Sequence, residues 1–473
     1  MIRTDLQSIA RACGGRIFGN RNRSITGVVI DSRDAREALM FVAVIGPNKD
    51  GHDYLGDAMG RGCRVFLVSR EERIPELLEK DPSAGIILTD DTEQGLTRVA
   101  QAYLEQLNLC RVAITGSVGK TTTKEMTARV LSGKYHTIST IGNLNTTLGQ
   151  CLTAFQAEKD TEAIVFEMGM DRKGELESYC RWIRPHIAVI TNVGTAHLEH
   201  LGTREAIAEA KLEIASSLKP EDVLIFNSDS DFLSVQEVQA KLGGCCKLCP
   251  VGTGDEAIYR LTDVRSEDAG VHFVLESKER GLSQSFHLPI PGLHNALNAA
   301  LASAVGARLN ISLEEAAEAL SEMQNVKRRL HVESAKGITL IDDTYNAGPE
   351  SMKAALDVLA ATEGRRRIAV LADILELGSY LEEGHLSVGR YAAEKDTDVL
   401  IAIGVNAKYY ALGAEAAGYG GLLIRCETNQ QAMAFLLEEL RSGDVVLVKG
   451  SNATGVAAVA EQIRQYIRTE EDS

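Results

Sequence analysis

A glycine-rich turn between an apolar strand and a helix is a place where phosphates can be held, and residues 111–127, RVAITGSVGKTTTKEMT, have that form. The run Val112-Ala113-Ile114 breaks at Thr115-Gly116-Ser117-Val118-Gly119, and the chain from Lys120-Thr121-Thr122 onward reads as helix. Glycines let backbone N–H groups crowd an anion and a helix N-terminus favours negative charge. Lys120 can reach terminal phosphates, and the Thr121 hydroxyl can bind Mg²⁺. Ile114 stands where the longer Walker pattern has its first glycine, so the motif is the shorter TGSxGKT form. Phosphate groups with Mg²⁺ are what such a turn is built to hold.

Other residues of matching chemistry fall at strand ends. Ala163–Phe166 reads as a buried strand ending in Glu167, and His186–Val193 as another that runs into Gly194-Thr195-Ala196-His197. In an open parallel sheet the ligand crevice lies at the carboxyl ends of the strands, which puts a carboxylate and an imidazole near the phosphates, suited to a metal ion or a positioned water. Lys211 lies in a helical stretch, Glu205–Leu218, where spacing alone makes it a solvated surface charge. Asn295 opens an alanine-rich helix, where it can cap the helix or read a base. Asp31-Ser32-Arg33 follows a strand, and Lys49-Asp50-Gly51-His52-Asp53 sits in a polar loop; turn chemistry accounts for both.

The elements that must position these groups divide the 473 residues into three α/β segments. Residues 1–109 form a small α/β domain with strands near 27–30, 38–44, 65–68 and 85–88. Residues 110–332 alternate strands and helices as a central P-loop ATPase with a mostly parallel sheet would. Residues 333–473 alternate again, with strands near 338–341, 368–371, 399–403, 421–424 and 445–448, a Rossmann-like domain without its own Gly-x-Gly-x-x-Gly. Its strand ends carry Asp342-Asp343-Thr344-Tyr345-Asn346, Asp373 with Glu376, and Lys449-Gly450-Ser451-Asn452.

A net charge of −16 argues against nucleic acid as a partner. The nine cysteines are odd in number and scattered, which suits reduced thiols; Cys246 and Cys249 make one C-x-x-C without a second pair to complete a zinc site. No apolar stretch approaches bilayer-spanning length and the N-terminus has no signal-peptide pattern, so a cytoplasmic protein without membrane insertion is expected.

The combined motifs resemble the Mur ligases nearly end to end. They are DSRDAREALMFVAVIGPNKDGHDY (31–54), TGSVGKTTTKEM (115–126), GNLNTTLGQCLT (142–153), EMGM (167–170), NVGTAHLEHLGTREAIAEAKLEI (192–214), GLHNALNAALA (292–302), DDTYNAGPESM (342–352), LADILELG (371–378) and VLVKGS (446–451). The resemblance is strongest to the subfamily that joins D-alanyl-D-alanine to UDP-N-acetylmuramoyl-tripeptide in peptidoglycan synthesis. It implies a UDP-sugar domain, an ATPase and a C-terminal domain that receives the dipeptide; separately, a monomer is expected.

For single residues the resemblance implies that Lys120 and Thr121 hold phosphates and Mg²⁺, that Glu167 and His197 sit at metal sites, and that Lys211 is carbamylated as a further metal ligand. Asn295 would contact adenine, and Arg329 and Asp343 the phosphate and ribose. Ser32 and Arg33 would bind the uridine nucleotide, and Asn143 and Asn145 the sugar-peptide carboxylate. Tyr345, Asn346 and Lys449 would complete the substrate site. Thr146, Arg328, Gly348, Ala372 and Asn452 depart from the family pattern, around the amino-acceptor pocket above all. The alternatives are a Mur-type ligase adding another amine, and a nucleotide-binding relative without turnover.

Overall fold

The computed structural model describes residues 2–142, 144–267, 270–324 and 327–468. Three sheets carry the fold, with a two-stranded pair, Thr4–Asp5 and Ser24–Ile25, beside them.

The first sheet has five strands in the order Arg16–Gly19, Gly85–Leu88, Val65–Val68, Leu39–Val42, Gly27–Val29. All its pairs are parallel except Arg16–Gly19 with Gly85–Leu88. The strands Leu39–Val42, Val65–Val68 and Gly85–Leu88 are buried at every position, as expected of a sheet covered on both faces.

The second sheet has nine strands. Cys110–Thr115 lies between Ala163–Glu167 and Ile187–Ile190, parallel to both. Successive residues of Cys110–Thr115 enter different cores: Ala113 packs into one, Val112 and Ile114 into the other. That alternation is the period-2 geometry of a strand sandwiched between two layers. The far edge of the sheet, Tyr259–Glu267, Gly270–Ser277 and Leu282–Leu288, is antiparallel. Sequence reading had not singled these strands out; burial alternates along Gly270–Ser277, and Phe273 stacks on Phe286 at 4.8 Å between centroids.

The third sheet has the order His331–Ala335, Ile338–Asp343, Asp444–Lys449, Arg366–Ala372, Val399–Ile403, Leu422–Cys426, antiparallel only at its first pair. In both larger sheets strands end at residues named above, Glu167, Asp343 and Lys449, whereas Lys211 and Asn295 stand on helices. All nine cysteines are free. Among the described residues no helix is long and apolar enough to cross a membrane.

Candidate active site

The turn after Cys110–Thr115 is shaped by contacts that only glycine permits. Gly116 has φ 152°, and a Cβ there would lie 1.8 Å from the Thr191 hydroxyl; Gly119 has φ 85°, with Asn298 Oδ1 2.7 Å from where its Cβ would be. The turn is pinned from the neighbouring strand's end. Thr191 Oγ1 donates to the Val118 carbonyl (2.5 Å), Val118 N–H donates to Asn192 Oδ1 (2.9 Å), and Gly194 N–H donates to Ser117 Oγ (2.8 Å). Helix Lys120–Ser132 then starts with no side-chain cap. Its first N–H groups are left for a ligand, the arrangement that binds anions. Lys120 Nζ folds onto the carbonyls of Gly116 (2.7 Å) and Ser117 (3.4 Å), and burial pulls its ammonium below the usual range.

This turn opens into a cleft of about 440 Å³ between the second and third sheets. From the central side, Ser117 through Thr122, Asn145, Glu167, His197 and Asn295 line it. From the C-terminal side come Arg329, Asp343, Tyr345, Asn346, Glu350 and Lys449. Thr115 is buried just behind, its hydroxyl donating to the Met168 carbonyl (2.9 Å).

Glu167 is buried at the end of its strand. The Thr121 hydroxyl donates to its Oε2 (2.8 Å) and Asn145 Nδ2 to its Oε1 (3.2 Å). His197 has φ 64°, and so has left-handed backbone. Its Nδ1 stands 3.0 Å from Asp171 and 3.2 Å from Glu376, neither aligned as a hydrogen bond. Burial, then the Lys120 charge, pushes the imidazole down to about 4. Asp171 and Glu376 are site members that sequence reading had not assigned a role.

Lys211 is fully buried near the end of helix Arg204–Leu212, which corrects the surface placement that its spacing suggested. It has no ion pair among the described residues, and burial, reinforced by Lys120, lowers its pKa well below the ordinary lysine value. It is not part of the cleft lining. Asn295 does not cap its helix; Leu293 holds that position, while Asn295 Nδ2 donates to the Pro291 carbonyl (2.7 Å) and Oδ1 accepts from Asn298 (3.0 Å). Asn298 thus sits against the loop glycine and bonds Asn295, a link that its place in the 292–302 motif does not by itself reveal.

The C-terminal segment crosses the cleft in several places. Arg329 Nη2 donates to Thr121 Oγ1 (2.7 Å) and its guanidinium lies 3.9 Å over the Tyr345 ring. Thr195 Oγ1 donates to Glu350 Oε2 (3.0 Å). Lys449 Nζ is buried against Asp343 Oδ2 (2.6 Å) and also donates to the Asn346 carbonyl (2.9 Å). Asp343 and Lys449, separate in the sequence reading, are therefore one ion pair.

Ser32 and Arg33 lie elsewhere, after Gly27–Val29 on the first sheet. Asp31 accepts from the Arg33 backbone N–H and from its guanidinium, which holds the Asp31 carboxyl at about 2. Ser32 is buried and Arg33 exposed. Asn143 lies outside the described residues.

Among the described residues no group of three or more His, Cys, Asp or Glu side chains could hold a metal ion. What converges at the loop is one hydroxyl and one carboxylate, Thr121 and Glu167. So sparse a protein set suits Mg²⁺, which keeps waters and binds through one or two carboxylates together with substrate phosphates.

Residues 114–306 match the Mur ligase middle domain, and residues 312–452 match the Mur ligase, glutamate ligase domain. The chain belongs to the Mur ligase family. Among Mur ligases it is 34% identical to the UDP-N-acetylmuramoyl-tripeptide--D-alanyl-D-alanine ligase of Bacillus subtilis over 98% of this chain and 99% of that one. The enzyme of the same name from Escherichia coli is 30% identical, over 98% and 99%. Of solved Mur ligases, MurF from Acinetobacter baumannii superposes with a TM-score of 0.89 at 30% identity, covering 98% of this chain and 99% of that one. MurF from Thermotoga maritima in complex with ADP gives 0.79 at 27% identity, covering 94% and 98%.

Proposed function

We propose that this Mur ligase joins D-alanyl-D-alanine to UDP-N-acetylmuramoyl-tripeptide with hydrolysis of ATP, a step of peptidoglycan precursor synthesis. The observation that carries the reading is similarity along nearly the whole chain to enzymes of that name, combined with a phosphate loop opening into the cleft between the two larger sheets. The nine free cysteines suit a reducing cytoplasm.

In this reading residues 1–109 bind the UDP-sugar, 110–332 bind ATP, and 333–473 receive the dipeptide. The backbone from Thr115 to Thr122, with Lys120, grips the phosphates. Asn295 faces adenine; Arg329 and Asp343 hold the rest of the nucleotide. Ser32 and Arg33 take the uridine end, Asn143 and Asn145 the peptide carboxylate, and Tyr345, Asn346 and Lys449 the acceptor side. Thr121 would hold Mg²⁺ beside the phosphates, Glu167 and His197 would sit at the metal sites, and a carbamylated Lys211 would help hold a second Mg²⁺; these ions would supply charge neutralisation on the transferring phosphoryl group. Burial supports that role for Lys211, because carbamylation requires a neutral amine and a depressed pKa provides one.

The tripeptide carboxylate oxygen attacks the γ-phosphorus and the bond to ADP breaks, giving an acyl phosphate. The dipeptide amine then attacks the carbonyl carbon, phosphate leaves, and the nitrogen gives up its proton. The protein contributes position and charge: the loop N–H groups and Lys120 hold the transferring phosphoryl group, and the C-terminal segment closes over the cleft to keep water from the acyl phosphate.

An amine panel tests the reading. Purified protein with ATP, Mg²⁺ and UDP-N-acetylmuramoyl-tripeptide should release phosphate only when D-alanyl-D-alanine is added. Turnover with a different amine and none with the dipeptide would select another Mur-type specificity; the departures at Arg328, Gly348 and Asn452 make that the comparison to run. No turnover with any amine would leave a nucleotide-binding protein.

A further inference from the structure

The strand that delivers the phosphate loop, Cys110–Thr115, carries Arg111 near its other end, four residues before Thr115 and ~13 Å away at strand spacing. There the chain forms a second concavity, of about 500 Å³. Arg111, Arg181, Arg184 and Lys219 contribute to its walls, against Glu177 and Asp222. In a chain of net charge −16 this is a local reversal of sign.

The two acids are already engaged. Glu177 pairs with Arg181 at 3.1 Å, and Asp222 accepts from the Lys219 backbone N–H at 2.8 Å. Arg184 pairs with Glu105 outside the concavity, at 2.8 Å. What remains unmatched is Arg111: its Nε and Nη1 are buried without a hydrogen-bond partner. Burial, then the like charge of Arg184, works against its guanidinium, offset in part by Glu105 and Asp222. The Lys219 ammonium makes no ion pair among the described residues. Ser217 adds a buried hydroxyl with no partner. His186 adds a donor, since its Nδ1 accepts from the Arg111 backbone N–H at 3.0 Å and the proton therefore resides on Nε2.

Buried donors left unmatched are costly, and a guanidinium fork fits a tetrahedral oxyanion. We propose that this concavity is a binding site for a phosphate-class oxyanion, separate from the nucleotide cleft, with Arg111 at its base and Arg184 and Lys219 at its rim. Its volume lies in the range of small-molecule sites, ~300–1,000 Å³, so the phosphate can be free or carried on a small metabolite.

The test is equilibrium dialysis of radiolabelled pyrophosphate, without Mg²⁺, against full-length protein carrying Lys120→Ala to disable the nucleotide cleft. One equivalent should bind, and adding Arg111→Gln with Arg184→Gln should weaken it tenfold or more. Competition by ribose 5-phosphate would assign the site to an organic phosphate, and competition by orthophosphate alone to the free ion. Absence of binding in the Lys120→Ala protein, or binding unchanged by the arginine substitutions, would overturn the proposal and leave water as the partner of Arg111. Should thermal melts show that Arg111→Gln disturbs folding, Arg184→Gln with Lys219→Gln, both on the exposed rim, carries the same comparison.

Discussion

Arg329 donates to the Thr121 hydroxyl across 208 residues of chain, at 2.7 Å, and the same hydroxyl donates to Glu167 at 2.8 Å. A residue from the link between the second and third sheets is thereby tied to the first turn of the phosphate-loop helix. The guanidinium carbon lies 3.9 Å from the centre of the Tyr345 ring, so one guanidinium joins the loop to the C-terminal lobe through a cation–π contact and a directed hydrogen bond.

Lysine cannot reproduce both contacts. Arg329→Lys should keep its charge and still lower kcat/KM for ATP by about 10- to 100-fold, or ~1.4–2.7 kcal/mol. Steady-state kinetics at varied ATP concentration measures it; kinetics equal to wild type would reduce Arg329 to a bystander.

Gly116 leaves no room for a side chain. With Thr191 Oγ1 1.8 Å from the Cβ position and φ at 152°, Gly116→Ala should displace either the turn or the end of strand Ile187–Ile190. The expected cost is about 1–3 kcal/mol of stability, seen as a lowered Tm, together with loss of nucleotide binding by calorimetry. Gly133→Ala is the control: its nearest non-neighbouring atom would be 3.4 Å away, and it should behave as wild type.

Lys211→Ala should lose most activity and recover part of it in added acetate or formate, whose carboxylate can enter the space of a carbamate. Turnover of the wild-type protein should in turn fall in carefully CO₂-depleted buffer. Wild-type rates from the alanine variant would mean that the buried amine has no part in the reaction.

A pH effect on stability follows from His385, which is fully buried in the C-terminal domain. Its Nε2 accepts from the Ile374 N–H at 3.1 Å, so the neutral ring carries its proton on Nδ1, which donates to the Leu381 carbonyl at 2.7 Å. Burial lowers its pKa, only partly offset by the Leu381 hydrogen bond and Asp373. The folded value is thus below the unfolded one, near 6.5. The unfolded chain takes up the proton first, so this stabilisation is whole above about 6.5 and declines as pH falls toward the folded value. Tm measured between neutral and mildly acidic pH should fall less steeply in His385→Gln than in wild type.

Much of this arrangement is legible in the sequence because it is local. The strand, turn and helix of residues 111–127 declare themselves by a β-branched run, spaced glycines and a helical pattern, and Glu167 by its place after an apolar run. What depends on partners far along the chain is not legible. Lys211 among alanines looks solvated until the helix is seen packed into a core, and Asp343 and Lys449 become a pair only when their two strands lie side by side. Asn298, which buttresses Gly119, sits in an alanine-rich helix whose composition says nothing about what it faces. The antiparallel edge from Tyr259 to Leu288 mixes polar and apolar residues that become a sheet face only through pairing.

The central claim is that phosphate gripped at residues 115–122 activates a carboxylate delivered from the N-terminal side, and isotope transfer tests it most directly. UDP-N-acetylmuramoyl-tripeptide labelled with ¹⁸O in its terminal carboxylate should, on turnover with ATP and D-alanyl-D-alanine, pass one ¹⁸O into the released phosphate, visible as an upfield shift in the ³¹P spectrum. Amide formed with unlabelled phosphate would contradict an acyl phosphate, and with it this account of the cleft.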